Sequence, residues 1–564
     1  LKQVGFILIA LLIVAGGAAL AREPGLSWFP DRPVAWSEHD DENVAKMPET
    51  NNLQEEAATV TIRDSVANEA DRILAAEGKV SAQDVNAMDE VPCSTWFCAR
   101  NHLHPLTTNE IARGPAFDPP VLPLTIVKGK DEGAATGFVM VDARHNKFMV
   151  KFDPAGHQGL VSAAEAVGER IFHAAGYNIA GATVFEFARS DLKVSPTATF
   201  KLFKVEKRPV TEARVTSQLA GIAHLPDGRI RAVAIPWIKG QTMGSFDMIG
   251  RRPGDPNDRI PHEHRRSLRA SWVLFAWLSV LDSGPINTMD SYVEVAGRHF
   301  VRHYILDLSC AFGSSTVFPQ GPQDEGEYLI EIGRTLRSLF TLGLYQRPYQ
   351  SRQNREEWQR LTLAYPSIGF YPAETFDPEI FRGDRRVPAH MRMTARDAYW
   401  GAKLVTSFTD DQLHALVATA QLSTGDSAYL EHALEVRRDI IGRRYMRPIA
   451  AVENPTALDD GHRINVCFDD LAVARGYASP SELRYVVDVT DGYGRPLGSS
   501  ELAAVGPHAC VAAGGPGGEY RIVSIRTRLA DGKGAGTPGK ASRIHLRWRA
   551  REGRFVVVGL ERDE

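Results

Sequence analysis

Phe148-Met149-Val150-Lys151-Phe152 is an apolar run with a single cation near its end, and the next periodic segment, residues 161–175, carries Glu165 and Glu169. The first stretch reads as a strand. The second has helical spacing and is stopped by Gly176, in the way a glycine just past the last turn stops helices. The two glutamates stand at i and i+4 on one helix face, so either can pair with Lys151 and aim it. Working outward, short strands are expected at 122–127, 137–141 and 147–152, with Gly133 and Gly137 in the turn between the first two. More strands are expected at 183–187, 199–205 and 232–238. Taken singly, a strand-end lysine or a helix glutamate is usually solvated surface. Their order along the chain carries the information.

Beyond residue 238 the texture becomes helical. Residues 265–281 are dense in Leu, Trp, Val and Phe, the pattern of a helix buried on most sides, and they run into Asp282-Ser-Gly-Pro-Ile-Asn287. A hairpin over 291–295 and 299–306, turning at Gly297, delivers Asp307 in Asp307-Leu308-Ser309. Helices are also expected at 327–344, 394–407 and 409–422. The last two open with the capping boxes Thr394-x-x-Asp397 and Thr409-x-x-Gln412. After Tyr445 strands return: residues 543–549 alternate polar and apolar, and Arg551-Glu-Gly-Arg554 turns them back into 555–558. The class is α+β, with residues 449–564 read as a small β-sandwich-like domain.

A strand Lys, a helix Glu, an Asp-x4-Asn and a later Asp, in that order, resemble the protein-kinase-like superfamily in remote bacterial branches such as the spore-coat and toxin kinases. The resemblance covers residues 121 to about 445. Trp96-Phe97, Gly114-Pro115 and Lys151-Phe-Asp-Pro154 are similar to exported bacterial proteins of this kind. It implies a bilobal core with a β-rich N-lobe (121–238) and a helical C-lobe (239–448), followed by the C-terminal domain (449–564). It also implies ATP or another nucleotide as donor, with Lys151 on the α/β-phosphates and Glu165 or Glu169 holding it, beneath a turn carrying Gly133 and Gly137. Asp282 would accept or orient the acceptor proton, and Asn287 and Asp307 would hold Mg or Mn. Three departures stand out. Val280-Leu281 replace the His-Arg pair that often precedes the catalytic Asp, Ser309 replaces a glycine, and the 133–137 turn is no Gly-x-Gly-x-x-Gly loop. The function expected is an exported or membrane-tethered phosphotransferase with a protein, lipid or glycan acceptor. The rival is a catalytically silent kinase-like binding or scaffold protein of the cell envelope.

Export is read from the N-terminus. Lys2 precedes an uncharged, mostly aliphatic run over residues 4–20, and Ala19-Leu20-Ala21 fits a small-x-small cleavage site. Residues 1–21 are therefore expected to be a signal peptide or a membrane anchor, the latter near the short limit for spanning about 30 Å of hydrocarbon. Residues 22–120 read as a linker and N-terminal extension with a helix near 62–76. At 564 residues the chain has room for roughly two to four domains. A net charge of −4 without a basic stripe argues against nucleic acid as a partner.

Of five cysteines, Cys93 with Cys98 and Cys467 with Cys510 are candidate pairs in an oxidising compartment, which would leave Cys310 free; the sequence leaves the connectivity open, unlinked thiols at 93 and 98 included. A Cys93, Cys98, His102, His104 metal site is the sharper and weaker alternative, because the spacing is not a recurrent zinc pattern. Three further motifs are decoys. Gly534-Ala-Gly-Thr-Pro-Gly539-Lys540 lacks the Ser/Thr and the helix of a phosphate loop. His262-Glu-His264 lacks the zinc-protease spacing, and residues 254–259 read as a turn-rich loop rather than a Ca²⁺ site.

Overall fold

The computed structural model describes residues 28–51, 60, 63–64, 80–130, 134–202, 206–459, 461–515, 517–529 and 537–564. The expected signal or anchor over 1–21, nearly all of the 62–76 helix, Gly133 and residues 534–536 lie outside them. Among the described residues no helix is long and apolar enough to cross a membrane.

The first layer is a seven-stranded sheet in the order β4-β7-β3-β2-β1-β5-β6. Its strands are β1 (Leu124–Gly129), β2 (Gly137–Val141), β3 (Lys147–Phe152), β4 (Thr183–Phe187), β5 (Leu192–Leu202), β6 (Glu206–Pro209) and β7 (Ile230–Pro236). Side chains alternate across a strand. Phe148, Val150 and Phe152 of β3 therefore enter an outer core with Phe138 and Met140, while Met149 and Lys151 face the other way. After the short α1 (Thr108–Arg113), helix α2 (Leu160–Ala175) lies against β3, β4 and β7. It is buried along almost its whole length, because its far side meets Leu308 and Ala311, which approach at Gly168.

A three-stranded sheet follows, β8 (Gln241–Gly244), β9 (Thr288–Val295) and β10 (Arg298–Ile305), in the order β10-β9-β8. The longer helices after α3 (Glu212–Leu219) are α4 (Ser271–Leu278), α5 (Ile332–Phe340), α6 (Arg352–Ala364), α7 (Ala395–Val405), α8 (Asp410–Ala418) and α9 (Thr424–Met446). Both expected capping boxes form, at Thr394 before α7 and Thr409 before α8. The helix expected over 265–281 is instead broken in two. A single turn, Arg266–Arg269, precedes α4, which ends where Ser279 turns left-handed at φ 56°. Arg265, Arg266 and Arg269, fully buried, anchor the broken stretch in ion pairs with Glu38, Asp89 and Asp397. The helix expected over 327–344 shortens to α5, since Leu329 N donates instead to Asp384 O at 2.8 Å.

The C-terminal strands are β11 (Val452–Asp459), β12 (Ile464–Asp470), β13 (Leu483–Asp491), β14 (Pro496–Ala503), β15 (His508–Ala512), β16 (Tyr520–Leu529), β17 (Ser542–Arg549) and β18 (Arg554–Arg562). They form two sheets, β11-β12-β15 and β14-β13-β16-β17-β18, with β11 against β17 and β18. Their apolar face is continuous with the helical core, so one cluster runs from Trp96 through Trp277 to Leu560.

The described part of the stretch read as an extension is not peripheral. Trp96 and Phe97 are core residues, and Asp89 is buried among Arg266, Arg396 and Arg562. Glu90 accepts from Lys403 and meets His102 at 3.2 Å. These buried charges are paired, as buried charges must be, and they tie residues 89–90 to α7 and β18. Cys93–Cys98 and Cys467–Cys510 are disulfides and Cys310 is a buried thiol, so the Cys2His2 alternative falls.

Candidate active site

The cleft face of β3 builds the site. Met149 pairs with Val139 on one side and Ile235 on the other, and this apolar row walls a cavity of about 520 Å³. Lys151, two residues on, lines the same cavity, together with Glu165, Glu169, Asp282, Asn287 and Asp307. Residues separated by up to 156 positions in the chain thus converge on one space.

Lys151 is nearly inaccessible. Its ammonium lies 2.9 Å from Glu165 Oε2 and 2.7 Å from Asp307 Oδ1, with Ser309 Oγ at 3.5 Å. Burial pulls its pKa down, but Asp307 and Glu165 hold it above the ordinary lysine range. Asp307 shows the converse. Burial pushes its carboxyl up, but Lys151, Lys130 and the Ser309 hydroxyl together hold it well below the usual carboxylate range. Glu165 is raised by burial despite Lys151. Glu169 does not bond Lys151; burial and its neighbour Glu165 push it well above the ordinary value. Of the i, i+4 pair, it is Glu165 that holds the lysine.

Asp153 fixes the distance between strand and helix. Its Oδ1 accepts from Val161 N at 2.9 Å and Ser162 N at 2.8 Å, stitching the end of β3 to the first turn of α2. Sequence reading missed this role, and the usual capping signal could not have found it, because Asp153 stands seven residues before the helix and Gly159 occupies the cap.

On the opposite wall, Asn287 ends the one-turn helix Pro285–Asn287, and its Nδ2 donates to Asp282 O at 2.8 Å. Its own carbonyl accepts from Leu306 N at 2.9 Å, so Asn287 and Asp307 hang from one backbone rung. Asp307 adopts φ 57° at the end of β10. The Asp282 carboxylate is 38 % exposed, toward the cavity, with Arg385 Nη2 3.2 Å from its Oδ1. Burial by the surrounding walls and the nearby Asp384 charge push its pKa up to about 7, against the pull of Arg385. A carboxylate poised near neutrality is suited to general-base work.

Of the two glycines, Gly133 is outside the described residues. Gly137 faces Lys151 across the β2–β3 ladder beside the cavity, and a Cβ there would fall 2.6 Å from Val150 O. Lys128, Lys130 and Lys201 also line the cavity, and Lys130 donates to Ala135 O at 2.9 Å. These lysines and the Asp384-Arg385 pair were not singled out from the sequence. The first three sit in plain strands and a turn, and Arg385 lies 103 residues from the aspartate it meets. The 254–259 loop is a structural element: Asn257 N donates to Asp255 Oδ1 at 3.0 Å and Asp258 meets His262 at 2.8 Å.

No family model matches the chain, and no curated protein does. Solved structures that resemble it include the Golgi casein kinase with Mn and ADP bound, at 9 % identity and a TM-score of 0.29, covering 73 % of this chain and 95 % of that one. A second structure of the Golgi casein kinase matches at the same identity and TM-score, covering 73 % of this chain and 94 % of that one. At that TM-score the weight falls on the cleft itself.

Proposed function

We propose that the protein is a phosphotransferase of kinase-like design, exported or tethered at a membrane, that takes a nucleotide with Mg or Mn. The observation that carries this reading is Lys151, buried between a helix glutamate and Asp307 at the floor of a cavity with one apolar wall. In this reading residues 121–238 and 239–448 act as two lobes and residues 449–564 as a β-sandwich-like appendage.

The apolar row of Val139, Met149 and Ile235 suits a flat heteroaromatic base, and Lys151 suits its phosphates. Asp307, held ionised, and the Asn287 amide supply the hard oxygen donors that Mg²⁺ and Mn²⁺ prefer, so the residues fit the metal. Bound there, it would neutralise charge on the phosphates. Asp282 takes the proton of the acceptor hydroxyl as that oxygen bonds to the γ-phosphorus and the nucleoside diphosphate leaves. Positioning and charge do the rest. The acceptor would be a hydroxyl of a protein, lipid or glycan.

Thermal melting tests this. ATP with Mg²⁺ or Mn²⁺ at about 100 times its Kd should stabilise the fold by about 2.7 kcal/mol. Asp307→Asn should abolish the metal-dependent part, whereas Asp282→Asn should keep binding and lose transfer. No shift for the unmodified protein with either metal refutes the reading.

A further inference from the structure

Strands β12 and β15 pair antiparallel, with Cys467 opposite Cys510 and Asp469 opposite His508. Side chains two residues apart on a strand share a face, so these four form a block on one side of the sheet. Val466, Phe468 and Val511 point the other way, into the core. Within the block the Cys467–Cys510 disulfide stands beside an imidazole, with Cys510 Sγ 3.9 Å from His508 Nε2. The two sulfurs and an imidazole nitrogen all lie within 4.8 Å of one another. The imidazole is also aimed. His508 Nδ1 donates to Asp469 Oδ1 at 3.1 Å, and Asn454 Nδ2, from β11, donates to Asp469 Oδ2 at 3.0 Å. With its proton held on Nδ1, His508 turns the Nε2 lone pair toward the sulfurs. A carboxylate that fixes the far nitrogen in this way is what stands behind metal-ligating histidines.

We propose that Cys467, Cys510 and His508 form a zinc site that the disulfide closes and its reduction opens. Cys510 is exposed and Cys467 buried, so a dithiol reductant attacks the Cys510 sulfur as its thiolate and releases Cys467. Its second thiol then closes on the first and releases Cys510. The reductant leaves as a disulfide, and the two cysteines gain two electrons and two protons as thiols. Zn²⁺ takes both sulfurs as thiolates, displacing those protons, with His508 Nε2 as the third ligand. In tetrahedral zinc, with Zn–S about 2.3 Å and Zn–N about 2.0–2.1 Å, sulfur and nitrogen stand about 3.6 Å apart. His508 and Cys510 are already close to that spacing. Two thiolates and an imidazole select zinc over Mg²⁺ or Ca²⁺. The fourth position opens on the exposed side of His508 and Cys510, for water or an outside ligand. Reduction leaves the ligands side by side, because the β12–β15 ladder runs from Asn465 to Asp469 over the core residues beneath it. None of these residues lines the cleft cavity, so the inference does not depend on phosphoryl transfer.

The test reduces the full chain with dithiothreitol, removes the reductant without air, and titrates Co²⁺ as a coloured stand-in for zinc. The reduced protein should take up Co²⁺ with the charge-transfer and visible bands of tetrahedral thiolate coordination, and Zn²⁺ should displace it. The oxidised protein should show no bands. His508→Ala and Asp469→Ala should each weaken the titration about tenfold or more, the second while keeping all three ligands. Cys93 and Cys98 are reduced in the same step, so Cys467→Ser with Cys510→Ser is the control and should stay colourless. Zinc should also raise the melting temperature of the reduced wild type and not that of the control. Any of four results would overturn the proposal. The reduced wild type stays colourless; the control keeps the bands, which would put the metal at Cys93 and Cys98; both single alanine variants titrate like wild type, which would leave a bare dithiol; or reduction abolishes the cooperative melt and zinc does not restore it.

Discussion

Replacing Lys151 with methionine keeps the length of the side chain and removes one charge from the centre of the cleft. In the folded protein that ammonium stands 2.9 Å from Glu165 and 2.7 Å from Asp307, with the Glu165 side chain wholly buried. Breaking a buried ion pair from one side typically costs about 3–5 kcal/mol, since the remaining charge keeps its desolvation penalty. Lys151→Met should therefore lower the melting temperature at pH 8 by about 3–4 °C, the unfolding entropy of 564 residues being about 1.2 kcal/mol/K. The loss should shrink toward pH 5, and its sign follows from the carboxylates. Lys151 itself, with a raised folded pKa, contributes stability throughout this range. Glu165 and Glu169, already raised, can take up protons once the lysine is gone and so escape the penalty at low pH. Lys151→Met combined with Glu165→Gln removes the unpaired charge at Glu165 and leaves the one at Asp307, so it should recover part of the stability while staying inactive. The assay is a pair of melting curves at the two pH values for wild type, single and double variants. If the double variant melts no higher than the single at pH 8, the ammonium is not compensating Glu165, and the reasoning fails.

Three further outcomes are expected. With Asp282 pushed up to about 7, transfer or nucleotide hydrolysis should fall about tenfold per pH unit below that value. Asp384→Asn removes a charge that raises Asp282, and should move the limb to lower pH; an unmoved limb would rule out Asp282 as the titrating base. A raised carboxylate favours the fold less as pH climbs from the ordinary carboxylate value through 7. Asp282→Asn should accordingly melt above wild type at pH 8 and match it near pH 4. Asp89→Ala leaves Arg266 and Arg562, both fully buried, without a shared counter-ion, and should cost about 3–5 kcal/mol. A melting temperature unchanged in that variant would show the network to be ornamental. Because three arginines hold the Asp89 pKa well below the usual range, against its burial, its contribution should persist until strongly acid pH.

Much of the site was legible because it lies on regular, short-range patterns. The expected bounds of β2, β3 and β4 match the structure, and the helix carrying Glu165 differs by one residue. Lys151 and Asp307 could be placed on their strand ends without knowing that they touch. What failed to show was long-range or carried by charge. The helix α9 escaped notice although it is the longest among the described residues, because its inward positions include Asp426 and Arg437 beside Leu430, Leu434 and Ile441. Arg437 is buried and donates to Ala276 O at 2.8 Å, an inward polar contact that hides the apolar period. The extension misled for the same reason: Asp84, Asp89 and Glu90 look like linker residues until their arginine and lysine partners, far along the chain, are brought to them. Nor does any local pattern in Asp384-Arg385-Arg386 announce a partner at Asp282.

The charge arrangement in the cleft constrains how the proposed ligands would enter. Lys151 is shared between Glu165 and Asp307, so each carboxylate is satisfied only while the lysine stays where it is. A divalent cation approaching Asp307 alone meets the ammonium at 2.7 Å and must displace it toward Glu165. A phosphate approaching Lys151 alone draws the ammonium from Asp307 and leaves that carboxylate without its partner. Each ligand thus removes what opposes the other: the phosphate takes the lysine and the cation takes the carboxylate. Metal and nucleotide should then bind with positive coupling, and linkage requires that coupling to be the same in both directions. The Lys151–Asp307 contact is on this view the resting form of a site built for a metal–phosphate pair. A neutral substrate would have no use for an ammonium held between two carboxylates, with a third buried behind them and Asp282 poised across the cavity.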